Sequence, residues 1–304
     1  MTEYPTTKPD SAPGASEGSS EVVHIERPVV EFLRMYMRNW SAVVGLLVFT
    51  AIILAALFAP VILAVDPFEM VWMPFTPPGQ DGYVLGTDNL GRDMLTAIVY
   101  GARATLVVGG SAAALTIFIG ITIGSLAGYY RGWVDEVLMR ITEFFQVLPP
   151  LLLAMVLVAL FEPTLTTVAI AIGVVTWTGV ARLARAEFMR IRELEFVKAA
   201  RSIGSRDRRI IWRVILPNAL PPLIVNAALT VGVAILFEAA LSFLGLSDPN
   251  VMSWGKLIGD NRDYLLDAPW TVTVPGVAIF LTVLAVSLIG DGLNDAFNPR
   301  LRER

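Results

Sequence analysis

The chain has 304 residues, of which 55% are hydrophobic and 16% charged, with a formal net charge of -4 and a mean hydropathy of +0.64. A soluble domain carries about 25% charged residues, so lipid is the expected solvent for much of this chain. The absence of cysteine excludes a disulfide framework, a thiolate metal site and a cysteine nucleophile.

Residues 1–27 are rich in Thr, Ser, Pro, Gly and Glu and hold the single His24. They contain almost no apolar run and no signal-peptide pattern, and are expected to be a disordered arm. From Pro28 to Trp40, Val29, Val30, Leu33, Tyr36, Met37 and Trp40 alternate with Glu31, Arg34 and Arg38. That spacing suits either a helix lying at the membrane surface or the first turns of the next helix.

A bilayer core requires about 20 apolar residues in helix. Six stretches are predicted to cross: about 41–63, 105–129, 147–161, 164–181, 219–241 and 271–289. The third is short and carries Pro149-Pro150, and a Glu162-Pro163 turn makes the third and fourth a hairpin. With the N-terminus inside, 19 of the 23 Lys and Arg fall in inner segments and 4 in outer ones. This asymmetry predicts that both ends are cytoplasmic. The expected organisation is an arm (1–27), an interfacial helix with the first span (28–63), an extracytoplasmic segment (64–104), a five-helix core (105–290) containing an inner loop at 182–217, and a cytoplasmic tail (291–304).

No catalytic constellation is present: there is no HExxH, no His/Asp/Ser set and no GxxxxGK[ST] phosphate loop. Glu238 is the main ionisable residue within the spans; it reads as a packing or interfacial residue, with a role in transport as the other reading.

The inner loop holds 10 of the 23 basic residues. Phe196, Ala199, Ala200 and Ile203 fall at i, i+3, i+4 and i+7, forming one apolar face of a short helix that also carries Lys198 and Arg201. Gly204 is placed to stop that helix. Ser205 is expected to cap a second helix, with Asp207 in its first turn. Ile210, Ile211, Val214 and Ile215 continue the apolar face, and Pro217 is expected to end this helix before the fifth span. An unpartnered apolar stripe on such a finger suits either a protein partner or, given its basic residues, anionic headgroups.

The stretch KAARSIGSRDRRIIWRVILP (198–217) resembles the EAA signature of binding-protein-dependent ABC permeases, matching it at Ala199, Ala200, Gly204, Leu216 and Pro217. Lys198 stands where that family usually has Glu, and Val214 where it usually has Ile. LGTDNLGRD (85–93), YGARATL (100–106), GYYRGWVDEVLMR (128–140), LFEAALSFLGL (236–246), PNVMSWG (249–255) and GDGLNDAFNPRLR (290–302) are similar to the C-type subunit of the dipeptide, oligopeptide and nickel permeases. Gly86 and Gly91 permit tight turns around Asp88, Arg92 and Asp93, which are expected to pair locally. Gly120, Gly124 and Gly128 share one helix face, as a close helix contact or the ordinary glycine enrichment of membrane helices.

The resemblance implies an all-α type I ABC importer permease with six transmembrane helices in a prokaryotic inner membrane. It implies a homologous permease as heterodimer partner, two cytoplasmic ATPases and an extracytoplasmic binding protein that meets loops 64–104 and 242–270. The segment from Glu195 to about 210 corresponds to the helix that couples permease to ATPase. The family's substrates are dipeptides, longer peptides, nickel and related small solutes. No catalytic residue, metal, cofactor or nucleic acid is expected on this chain. The alternative is a secondary carrier or channel acting without an ATPase.

Overall fold

The computed structural model describes residues 28–63 and 65–297. The expected arm (1–27), with His24, and the last residues of the tail (298–304) lie outside the described residues.

Helix α1 (Pro28–Arg38) is separate from α2 (Trp40–Ile62). The break is built by Asn39, whose Oδ1 accepts from Ala42 N at 3.1 Å while Nδ2 donates to Asp295 Oδ2 at 2.8 Å. Tyr36 is buried against Ala42 and Ala296. The first stretch of the sequence is therefore its own helix, clamped to the end of the last one.

Helix α3 (Met94–Tyr130) has 37 residues, about 55 Å at 1.5 Å per residue, and lies at the centre against α2, α6, α7 and α10. It starts eleven residues before the expected second span. Asp93 caps it, accepting from Leu95 N at 3.3 Å and Thr96 N at 3.0 Å, and its first turns bury Met94 and Ala97. The exposed Arg103 is what made this turn read as a loop.

The third expected span does not stand alone. Helix α4 (Gly132–Val147) and helix α5 (Pro150–Leu160) meet at an 86° bend. The residue before a proline is driven out of the α region, and Leu148 has φ -77 and ψ 133 before Pro149. The 11 residues of α5 reach roughly 16 Å, about half of a ~30 Å hydrocarbon core, so only the bent pair is long enough. The turn at Glu162-Pro163 holds, and Thr164 caps α6 (Leu165–Thr176). A 46° bend at Trp177 leads into α7 (Thr178–Arg192). The first third of the expected inner loop is thus a continuation of the fourth span.

Beyond it come α8 (Glu195–Ser202), α9 (Asp207–Arg209), a π-helical turn at Ile210–Ile215, and α10 (Leu216–Phe243). Pro217 does not end the preceding helix: the axis runs on from Asp207 to Phe243, and the π-helical turn at Ile210–Ile215 directly ahead of the proline widens the ladder its ring would otherwise clash with. Helix α11 (Trp254–Asn261), a 3₁₀ turn (Arg262–Tyr264) and α12 (Trp270–Phe297) complete the described chain. The last helix continues seven residues past Gly290, into what was expected to be tail.

Helices α2, α3, α10 and α12 each suffice to cross a bilayer, and the bent pairs α4–α5 and α6–α7 bring the crossings to six. Leu47, Val107, Phe118, Leu152, Leu160 and Phe280 face outward, whereas the closest contacts of α3 with α7 are made at small residues. This inversion of the soluble pattern follows from a lipid solvent, where close backbone packing replaces a hydrophobic drive. Gly124 is the clearest case, since a Cβ there would lie 2.2 Å from Ala181 O and 2.7 Å from Ala184 Cβ on α7. Gly120 and Gly128 approach Val180 and Phe188 in the same way.

Candidate functional site

The finger projects from the end of the bundle where α3 finishes and α10 begins. The turn after α8 is closed by two hydrogen bonds, Ser205 N to Ala200 O at 3.1 Å and Gly204 N to Arg201 O at 3.0 Å. Gly204 has φ +77 with open space around an added Cβ. These are the two bonds of a Schellman motif with glycine in the left-handed region.

Val197 is buried, packing with Phe188, Ile191, Ile210, Ile211 and Ile215 beneath the finger. The opposite face is bare: Phe196 is 46% exposed and Ile203 82% exposed, with Ala199 exposed and Ala200 half-buried between them. The stripe read from the sequence is therefore real, and it points away from the protein. Glu195 and Lys198 are exposed and pair at 3.2 Å. Leu216 packs partly beneath the finger, and Pro217 is exposed.

One feature of the finger differs from expectation. Residue Arg206, not Ser205, occupies the cap position before α9, and no side chain caps it. Asp207 lies in the first turn of α9 as expected, and it also accepts a hydrogen bond from Tyr129 Oη at 2.6 Å.

Tyr129 is the residue that sequence reasoning missed. It is buried at the end of α3, and the guanidinium carbons of Arg192 and Arg201 each lie 5.7 Å from its ring centroid. Helices α3, α7, α8 and α9 thus converge on one phenol through cation–π contacts and a charge-assisted hydrogen bond. Arg201, placed on the polar face of α8, belongs to this clasp. A bidentate pair between Arg185 and Asp135, at 2.5 and 2.6 Å, ties α7 to α4. Arg131 pairs with Glu193 at 2.8 Å from a left-handed turn at φ 56 between α3 and α4. An aromatic at a helix end beside basic residues was the available signal.

At the other end, residues 65–93 fold over the bundle with 249–270. Arg92 Nε and Asp88 Oδ2 form a buried ion pair at 2.5 Å, and Arg92 reaches Asp260 at 3.4 Å. Asp88 Oδ1 also accepts from Leu90 N and Arg92 N, both at 2.9 Å. Asn89 N donates to Asn261 Oδ1 at 3.1 Å, and Trp270 Nε1 donates to Thr87 O at 3.1 Å. Gly86 and Gly91 have φ +75 and +76, and a Cβ at Gly91 would lie 2.0 Å from Trp72 O. Asp88 and Arg92 pair as expected, whereas Asp93 serves α3 as its cap.

Glu238 lies near this end, buried in α10, where Ser242 Oγ donates to its Oε1 at 2.7 Å. Its Oε2 is buried with no hydrogen-bond partner among the described residues, so the carboxyl group is only half satisfied within the chain.

The fold is that of an ABC importer permease. A chain of the MetNI methionine ABC transporter in an inward-facing conformation superposes with a TM-score of 0.54 at 19% identity, covering 65% of this chain and 94% of that one. The chain belongs to the family of binding-protein-dependent transport system inner membrane components, which matches residues 120–303, and residues 28–78 match the N-terminal membrane domain of oligopeptide transport permease C. It is similar to the dipeptide transport system permease protein of Alkalihalophilus pseudofirmus, with 41% identity over 276 residues, 90% of this chain and 91% of that one. It is also similar to the di/tripeptide transport system permease protein of Pseudomonas aeruginosa, with 40% identity over 282 residues, 90% and 93% of the two chains.

Proposed function

We propose that this chain forms half of the pore of an ATP-driven importer of short peptides, and that the finger of α8 and Gly204 is its input from the ATPase. The observation that carries the coupling reading is the contrast within α8: one face is locked to Tyr129 and the buried isoleucines, and the other is bare, with Ile203 82% exposed. A partner seated on Phe196, Ala199 and Ile203 covers that stripe and moves the bundle through Tyr129, which spans α3 and α7.

In this reading the finger end faces the cytoplasm with both termini, as the distribution of Lys and Arg supports. A homologous permease completes the pore, two ATPases dock from the cytoplasm, and a binding protein docks on the cap of residues 65–93 and 249–270. The names of the relatives support dipeptides and tripeptides as the substrate class. The chain itself transfers no phosphate, in keeping with its lack of a phosphate loop.

Reconstitution of this chain with its neighbouring permease and ATPases in vesicles tests the reading. Uptake of a labelled dipeptide is expected only with ATP inside and loaded binding protein outside. Uptake driven by an ion gradient, without the ATPases, supports a secondary carrier instead.

A further inference from the structure

The return limb of the finger carries a second surface of different chemistry. Arg206, Arg208, Arg209 and Arg213 line one cleft of about 480 Å³ with Trp212. All four arginines are exposed, and Trp212 is 51% exposed. None of the four takes part in an ion pair among the described residues. Asp207, the acid in their midst, is engaged by the Tyr129 hydroxyl. Four arginines against the single carboxylate of Asp207 leave this limb net positive, so the cleft favours an anion.

Its position selects the anion. The cleft lies where α9 and the π turn run into a membrane-crossing helix, and Leu220 and Ile224, seven and eleven residues beyond Arg213, are exposed on α10. That spacing keeps them close to one helix face. A strip that changes from arginines flanking a tryptophan to leucine and isoleucine follows the order of membrane interface and acyl chain. The stripe of Phe196 and Ile203 has no such charge and no such continuation.

We infer that the cleft of Arg206, Arg208, Arg209, Trp212 and Arg213 binds the phosphate headgroup of an anionic lipid, fixing the return limb to the membrane surface. The inference concerns a lipid partner and stands whether or not the α8 stripe docks an ATPase.

The full-length chain, equilibrated with equimolar phosphatidylglycerol and phosphatidylcholine and repurified, is assayed for retained lipid by mass spectrometry. Phosphatidylglycerol is expected to be enriched, and replacing all four arginines by Gln is expected to lose about tenfold or more of that enrichment. Replacing the acid-paired Arg140, Arg190 and Arg262 by Gln is expected to leave it intact. In the unaltered protein, which poses no question of folding, the enrichment is expected to fall steeply with salt. Enrichment that persists in the fourfold variant or at high salt overturns the inference. So does displacement of the lipid by inorganic phosphate at millimolar concentration, which makes the cleft a site for a free anion. Loss of ATPase co-purification from the fourfold variant with lipid enrichment unchanged also overturns it, and assigns the cleft to the ATPase.

Discussion

Substituting Gly204 by Val separates the geometry of the finger from the stability of the bundle. At φ +77 a β-branched residue keeps the turn only under strain of roughly 1–3 kcal/mol. If the backbone leaves that region, it gives up the bonds from Ser205 N and Gly204 N, about 1 kcal/mol each. Both routes cost a similar amount, and because no atom lies within 4 Å of the added Cβ no clash adds to it. A shift of one or two kcal/mol changes the occupancy of the native turn by roughly 5–30-fold. Insertion is unaffected, since each apolar residue of six crossings contributes its own favourable transfer. The Gly204→Val protein is therefore expected at normal abundance in membranes but with uptake reduced about tenfold, and with ATPase activity no longer raised by loaded binding protein. Gly204→Asn, which tolerates the left-handed region, is expected to retain most uptake. Full uptake by the Val variant at normal abundance refutes the reasoning.

Tyr129→Phe keeps the ring between Arg192 and Arg201 and removes the bond to Asp207, a loss of about 1 kcal/mol because Asp207 stays solvated; uptake is expected to fall with the melting temperature in detergent nearly unchanged. Gly124→Ala places a Cβ against Ala181 O, and overpacking of about 1–3 kcal/mol or more is expected to lower the melting temperature. Gly110→Ala, on an open face, is expected to leave it unchanged. Asp88→Asn leaves the buried Arg92 with only the longer pair to Asp260 at 3.4 Å, costing roughly 3 kcal/mol, and is expected to open the cap to protease without destroying the bundle beneath it. Thiol labelling of single cysteines at Asp81 and Asp263 is expected from outside intact cells, and at Ile203 only after permeabilisation.

The spans and the finger were legible because both rest on local patterns. Apolar runs marked the crossings, and the spacing of Phe196, Ala199, Ala200 and Ile203 ahead of Gly204 marked a short helix with its stop. What was not legible depended on partners distant in sequence. Leu148 and Pro149 turn the chain by 86°, yet hydropathy reads Val147 to Phe161 as one run because it carries no direction. Arg103 disguised the first turns of α3, which are held by Asp93 and by packing near Trp254, 151 positions on in the chain. Asp207 was legible as a first-turn acid, but its partner Tyr129, 78 residues away, was not. Pro217 looked like a stop because a proline ends most helices, but the π-helical turn at Ile210–Ile215 just ahead of it accommodates the lost bond and the axis continues.

The central claim is that an ATPase covers the bare stripe of α8. It is tested most directly by placing a single cysteine at Ile203, in a chain that has none of its own, within the assembled transporter. The account predicts a short-span crosslink from Ile203→Cys to the ATPase, and protection from a water-soluble maleimide that disappears when the ATPases are omitted. Equal maleimide reactivity with and without the ATPases, and no crosslink, contradict it.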